Sequence, residues 1–305
     1  MSQAFQHLID IESLSDDQLQ SLVEQASLIK ARPELHDGAL RGRILVNLFF
    51  EASTRTRFSF EIAARRLGMH VVNFSAASSS VSKGETLLDS FRTVQAMGPD
   101  VIVFRHPDVG SAGRLAIEAG DGTHVINAGD GSRAHPSQAV LDMVTLAEHF
   151  DDLSRISVLI AGDLRNSRVT HSDVAAMRKL GVGEIRLASP PQLRPDEEMA
   201  RGARVFDDFE EALADVDVVM TLRVQKERLR DSDIPEPLSY HRNWGLNPDR
   251  LALARPGCLV MHPGPMNRGV EISSEVADGP QSVILEQVTN GVYARMAILL
   301  AMLGK

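Results

Sequence analysis

Apolar, β-rich runs alternate with helical stretches along the chain, and no other feature of the sequence narrows the fold as far. The runs fall at 44–50, 70–74, 100–104, 124–127, 156–161, 184–188, 216–221 and 258–262. Parallel neighbours need a long crossover, usually a helix, so this alternation specifies parallel sheets with helices on both faces. The fold class expected is α/β, with two doubly wound parallel-sheet domains. The polar stretch Asp151-Asp152-Leu153-Ser154 separates the fourth run from the fifth, giving domains 1–150 and 151–305, each large enough for its own core. Ser15-Asp16-Asp17-Gln18 has the form of a capping box opening a helix to about Lys30, and Pro136 opens another through about His149. The last segment, Glu286 to Leu303 within 286–305, carries apolar residues at helical spacing and is expected to pack back on the first domain.

In open parallel sheets, ligands bind beyond the carboxyl ends of the strands, so the polar residues after each run belong together. After 44–50 comes Ser53-Thr54-Arg55-Thr56-Arg57, with three hydroxyls and two guanidiniums where a helix starts. Free backbone N–H groups and the positive end of a helix dipole favour an anion there, hydroxyls donate to phosphate oxygens, and arginine adds a fork that stays charged. Ser and Thr are also ordinary helix caps, but one hydroxyl suffices for that. No G-x-x-x-x-G-K-[ST] pattern occurs, which argues against a nucleoside triphosphate.

The next loops bring Arg105-His106-Pro107, then Gly129 to Ser132 and His135-Pro136-Ser137-Gln138. Arg105 is read as a second phosphate ligand, with a surface charge or interface ion pair as the bland alternative. His135 and Gln138, three apart at a helix start, can both hydrogen-bond a carbonyl or amide. No second histidine or carboxylate stands at ligand spacing from His135, so no metal is expected. The later loops supply Gly162-Asp163 with Arg168, Thr221-Leu222-Arg223-Val224-Gln225, and His262-Pro263-Gly264-Pro265. Two arginines make a second positive pocket suited to the carboxylates of a small acid. All of these are expected to meet in one cleft between the domains. The loop Ala76 to Glu85, with Ser79, Ser82 and Lys83, is long enough to act as a lid or to reach a neighbouring subunit.

A formal net charge of −9 disfavours nucleic acid as a partner, so the anion site must be a local positive pocket in an acidic surface. No apolar run approaches the ~20 residues of a spanning helix. The start, Met1-Ser2-Gln3-Ala4-Phe5-Gln6, lacks a basic, apolar leader. A cytoplasmic protein is therefore expected, with no membrane partner. Cys258 lies in the apolar run Cys258-Leu259-Val260-Met261 and is read as packing, not as a nucleophile.

Taken in order, these motifs resemble the aspartate branch of the aspartate/ornithine transcarbamoylase family over essentially the whole chain. Ser53 to Arg57 is similar to the family's carbamoyl-phosphate signature, and the segments at 105–107 and 135–138 to its companions. Thr221 to Arg228 and 262–265 resemble the aspartate-binding segments. The ornithine branch would show a Ser-Met-Gly loop and a His-Cys-Leu-Pro segment, and neither is present.

The resemblance implies transfer of a carbamoyl group from carbamoyl phosphate to the α-amino group of L-aspartate, in pyrimidine biosynthesis, with no metal or organic cofactor. It implies that Ser53, Thr54, Arg55, Thr56 and Arg105 hold the phosphate and that Arg55 stabilises charge on the leaving group. His135, Thr56 and Arg105 would polarise the carbonyl, and Gln138 would hold the carbamoyl amide. Arg168, Arg223 and Gln225 would grip aspartate, with backbone carbonyls of Pro263 and Gly264. Ser79 and Lys83 would come from the neighbouring subunit of a homotrimer. Ser82 and Gly264 depart from the enterobacterial pattern, which has Lys and Leu there. With Asn267 to Ile272, Gly264 resembles transcarbamoylases that associate with dihydroorotase or its inactive relatives, so the partners expected in a higher assembly are dihydroorotase-like or regulatory chains. A transcarbamoylase for another amine such as ornithine and a non-catalytic carbamoyl-phosphate-binding relative are the alternatives. Such a relative is expected to have lost Arg55, His135 or Lys83, and all three stand in this sequence.

Overall fold

The computed structural model describes residues 5–74, 84–225 and 236–304. Ser79, Ser82 and Lys83, and Lys226 to Arg228 of the aspartate-type segment, lie outside the described residues. The chain divides into two compact units, one formed by 1–144 with 288–305 and the other by 145–287.

The first unit carries strands β1 (Ile44–Phe49), β2 (His70–Asn73), β3 (Val101–His106) and β4 (His124–Asp130). They form one parallel sheet in the order β2-β1-β3-β4. Its helices begin with α1 (Asp16–Ala31), α2 (Thr54–Arg66), α3 (Leu87–Ala96), α4 (Ser111–Ala119) and α5 (Pro136–His149), whose residues from Thr145 on fall in the second unit. The capping box expected at Ser15 is present: the Gln18 N–H donates to the Ser15 hydroxyl at 3.1 Å, and the Ser15 N–H to the side-chain Oε1 of Gln18 at 2.8 Å. The sheet's core includes Val46, Leu48, Ile102, Phe104 and Val125, packed on Phe91, Ala112 and Leu115 of the helices. Burying both faces of the strands is what demands near-continuous apolar runs.

The second unit has β5 (Ser157–Ala161), β6 (Glu184–Ala188), β7 (Arg204–Phe206), β8 (Val218–Thr221) and β9 (Leu259–Met261), all parallel, in the order β7-β6-β5-β8-β9. Around them run α6 (Arg168–Lys179), α7 (Glu197–Ala200), α8 (Phe209–Leu213), α9 (Pro237–Trp244), α10 (Pro248–Leu251), α11 (Ser274–Ala277) and the start of α12 (Ile284–Leu303). Strand β7 was not expected. It is a three-residue edge strand in which only Phe206 is buried, too short to leave an apolar run.

From Val288 onward α12 belongs to the first unit. There Asn290 accepts from Lys30 Nζ at 2.7 Å, Arg66 lies over the Tyr293 ring, and Arg295 lies over Phe60 with 5.0 Å to the ring centroid.

In each sheet the strand order reverses once, between β1 and β3 in the first and between β5 and β8 in the second. Helices on opposite faces leave such a switch point open at the strands' carboxyl ends, where ligands bind.

Candidate functional site

The loops after β1 and β3 flank the first switch point. Ser53 occupies the N-cap position of α2 with extended backbone, but its side chain makes no capping hydrogen bond. The capping alternative therefore does not account for that hydroxyl, which remains available to a ligand at the helix start. Thr54 and Arg55 in the first turn are exposed, whereas Thr56 is buried. Thr56 Oγ1 shares a hydrogen bond of 3.4 Å with Nε2 of His135, itself buried just before α5. Two motifs 79 residues apart thus meet at one point.

Arg105, at the end of β3, is 9% exposed. Its Nη1 donates to the carbonyl of Ala128 at 3.1 Å and its Nη2 to the carboxylate of Glu51 at 2.7 Å. Glu51 is a site residue that sequence reading passed over. It stands two residues before the Ser53 to Arg57 motif, and its pairing with Arg105 depends on β1 and β3 being neighbours, which no local pattern declares.

The following histidine, His106, is packed between aromatic rings, stacked on Phe104 at 5.8 Å and edge-on to Phe50 at 5.3 Å. Its Nδ1 accepts the Asp108 N–H at 3.1 Å, and burial lowers its pKa from the ordinary 6.5, so the ring is neutral at pH 7. Gln138, also buried, directs its amide nitrogen at Asp142, 3.1 Å from each carboxylate oxygen.

In the second unit the loops after β5 and β8 flank the switch point. Gly162 makes their approach possible. It has φ +133°, and a Cβ there would lie 2.6 Å from the carbonyl oxygen of Leu222. With that contact allowed, the Leu222 N–H reaches the Ala161 carbonyl at 2.8 Å. Asp163 next to it is fully buried and accepts the Gln225 N–H at 3.0 Å and the Asn166 side-chain amide at 2.9 Å. The Gln225 side chain in turn donates to the Asn166 carbonyl at 3.0 Å. Arg168 opens α6 directly after its cap Ser167 and is 7% exposed, while Arg223 is half-buried.

Pro263 and Gly264 follow β9. The Gly264 N–H donates to Nδ1 of His262 at 2.8 Å, which leaves the imidazole proton on Nε2, directed to Glu271 at 3.2 Å. That fully buried pair fixes the backbone whose carbonyls the aspartate-type segment offers. Asp163, His262 and Glu271 stand in segments read from the sequence but were given no role there, since each acts on a loop and not at its tip.

The carbamoyl-phosphate-type residues Ser53 to Thr56, Arg105, His135 and Gln138 thus all stand on the first unit. Arg168, Arg223, Gln225, Pro263 and Gly264 all stand on the second. Among the described residues no group of three or more His, Cys, Asp or Glu side chains is placed to hold a metal ion. No helix among them is long and apolar enough to cross a membrane.

Residues 6–148 match the domain described as "Aspartate/ornithine carbamoyltransferase, carbamoyl-P binding domain", and residues 154–302 its companion, the "Asp/Orn binding domain". The chain belongs to the aspartate/ornithine carbamoyltransferase family. It is 48% identical over 303 residues to the aspartate carbamoyltransferase catalytic subunit of Stenotrophomonas maltophilia, covering 98% of this chain and 96% of that one. With the catalytic subunit from Xanthomonas campestris pv. campestris the identity is 47% over 302 residues, with the same coverage. The aspartate transcarbamoylase of Trypanosoma cruzi in complex with carbamoyl phosphate superposes with a TM-score of 0.89 at 31% identity, covering 99% of this chain and 97% of that one. Within the family the fold does not separate the branches: the ornithine carbamoyltransferase of Pyrococcus furiosus also superposes at 0.89, with 27% identity and coverage of 100% and 99%. Branch must be argued from side chains.

Proposed function

We propose that this chain transfers the carbamoyl group of carbamoyl phosphate to the α-amino group of L-aspartate, giving N-carbamoyl-L-aspartate and phosphate, as a step of pyrimidine synthesis in the cytoplasm. The observation that carries the reading is the meeting of Thr56 with His135 at the start of α2, beside an N-cap hydroxyl not engaged in capping. That arrangement supplies donors for a phosphate and a carbonyl together. Aspartate as co-substrate is supported by Arg168 and Arg223 on the loops of the second switch point. A dicarboxylate suits two guanidiniums, and the extra cationic amine of ornithine is repelled by them.

In this reading residues 1–150 bind carbamoyl phosphate and 151–305 bind aspartate. The neutral α-amine attacks the carbamoyl carbon while His135, Thr56 and Arg105 donate to the carbonyl oxygen as it gains charge. Arg55 and the hydroxyls of Ser53 and Thr54 stabilise the phosphate as the C–O bond breaks. The proton lost by the amine passes to the departing phosphate, since no side-chain base is called for. Acceleration comes from orientation and charge stabilisation, with no cofactor.

Ser79 and Lys83 are assigned to the site of a neighbouring subunit in a homotrimer. A self-association face on the first unit is supported by exposed Phe58 and Ile62 on α2, with Val72 on the edge strand β2 and Leu88 at the start of α3. A dihydroorotase-like chain is the higher-order partner proposed, in place of a regulatory chain.

The test is the initial rate of carbamoyl transfer with aspartate and ornithine as parallel acceptors, on protein of measured oligomeric mass. Carbamoyl-aspartate alone is the expected product. Carbamoyl-ornithine would overturn the reading of Arg168 and Arg223, and no product from a verified trimer would overturn the catalytic reading.

A further inference from the structure

Gln138 and Asp142 lie one turn apart on α5, both buried, with Gln138 Nε2 placed 3.1 Å from each oxygen of the Asp142 carboxylate. A glutamine amide has two chemically opposite ends, and nothing in its own shape decides which end faces a ligand. A carboxylate decides it. Being acceptor-only, it takes the NH2 end and repels the oxygen, so Oε1 is the end left for a ligand.

Asp142 lies in the field of a buried cation. Arg295 of α12 is 2% exposed, donates to the Gly291 carbonyl at 2.8 Å and lies over the Phe60 ring. Burial lowers its guanidinium to about 9 and the Asp142 carboxylate acts to raise it, so the cation persists at neutral pH. A buried carboxylate that holds an amide within hydrogen-bond distance and feels the field of a buried cation has little freedom to turn.

We infer that Asp142 is a positioning residue which locks the Gln138 amide with its oxygen towards the ligand, and thereby makes the site select an acyl phosphate bearing an NH2 group. This deepens the proposed function and rests on its placement of the carbamoyl amide at Gln138. The carbamoyl NH2 donates to Oε1. Acetyl phosphate, with a methyl group in that place, donates nothing and leaves Oε1 without a partner. Sites built to hydrogen-bond a ligand NH reject analogues that lack it far more strongly than apolar pockets reject a missing methylene. Without Asp142 the amide can turn its NH2 end to the ligand, and that preference is lost.

The experiment compares dissociation constants of carbamoyl phosphate and acetyl phosphate for the full-length wild type, Gln138→Ala and Asp142→Asn, by titration calorimetry. Wild type is expected to favour carbamoyl phosphate, and Gln138→Ala to abolish the preference. Asp142→Asn should weaken carbamoyl phosphate about tenfold and leave acetyl phosphate within about twofold. A purely structural role for Asp142 lowers both affinities alike and overturns the proposal, as does an unchanged preference. Asp142→Asn strands the Arg295 charge, so Asp142→Asn with Arg295→Met, which removes both charges, is measured beside it and must narrow the preference equally. If Gln138→Ala keeps the wild-type preference, the placement of the carbamoyl amide is wrong and the inference falls with it. If Gln138→Ala abolishes the preference but the Asp142 variants retain it, only the inference falls.

Discussion

At the scale of single residues, the site depends on which polar atoms the fold leaves available. Arg55 is exposed in the first turn of α2, beside an N-cap hydroxyl that makes no capping bond. Its proposed work lies in the transition state, so Arg55→Ala should lower kcat by about 10²–10³-fold with a smaller change in carbamoyl-phosphate affinity. Parallel kinetics and direct binding check this; a loss confined to affinity would make Arg55 a simple ligand. Cys258 illustrates the opposite case. It is 1% exposed, and burial pushes its thiol up to about 12. It should resist a chromogenic thiol reagent at pH 8 in native protein and react fully in denaturant. The residues read as candidates beforehand were those whose chemistry is declared by neighbours in sequence, such as Ser53 to Thr56 and His135 with Gln138. Glu51, Asp142, Asp163 and the His262–Glu271 pair were not, because each acquires its meaning from a partner that only folding brings near.

At the scale of elements, the positions of the strands were readable because strands buried on both faces must be apolar throughout, and β7 escaped because an edge strand with one buried side chain need not be. Strand order was not readable, since hydropathy says where a strand is and not which strand lies beside it. The order nevertheless places the loops after β1, β3, β5 and β8 at the two switch points. Gly162 shows how narrow the tolerance there is. Its φ of +133° and the 2.6 Å approach of a Cβ to the Leu222 carbonyl mean that Gly162→Ala must displace one of the loops that carry Asp163, Arg223 and Gln225. The variant should raise KM for aspartate about tenfold or more while carbamoyl-phosphate binding stays near wild type. An equal loss of both affinities would show that the damage is not local to the second unit.

At the scale of the molecule, acid stability follows from half-buried neutral imidazoles. His7 and His106 both have pKa values lowered by burial below the ordinary 6.5. The unfolded chain therefore takes up protons near pH 6.5 before the folded chain does, so stability is full above that pH and falls as the pH drops below it. Urea midpoints should decline between pH 7 and pH 5, and His106→Gln should flatten the slope if it folds; a slope unaltered in that variant would assign the decline elsewhere. The proposed sharing of sites between subunits has its own signature. Arg55→Ala and Lys83→Ala homotrimers should both be nearly inactive, whereas trimers reassembled from an equal mixture should recover about a quarter of wild-type activity, because that share of sites pairs two intact contributions. No recovery after verified exchange would make each site the property of one chain.

The first unit is built from the two ends of the chain, with the second inserted whole between them. During synthesis the middle of the protein therefore has everything it needs before the first-made part does. Until α12 has been made, the places of Asn290, Tyr293 and Arg295 against Lys30, Arg66 and Phe60 are unfilled. A nascent chain halted before Val288 would carry all the residues of the second unit and a first unit with those places still open to chaperones.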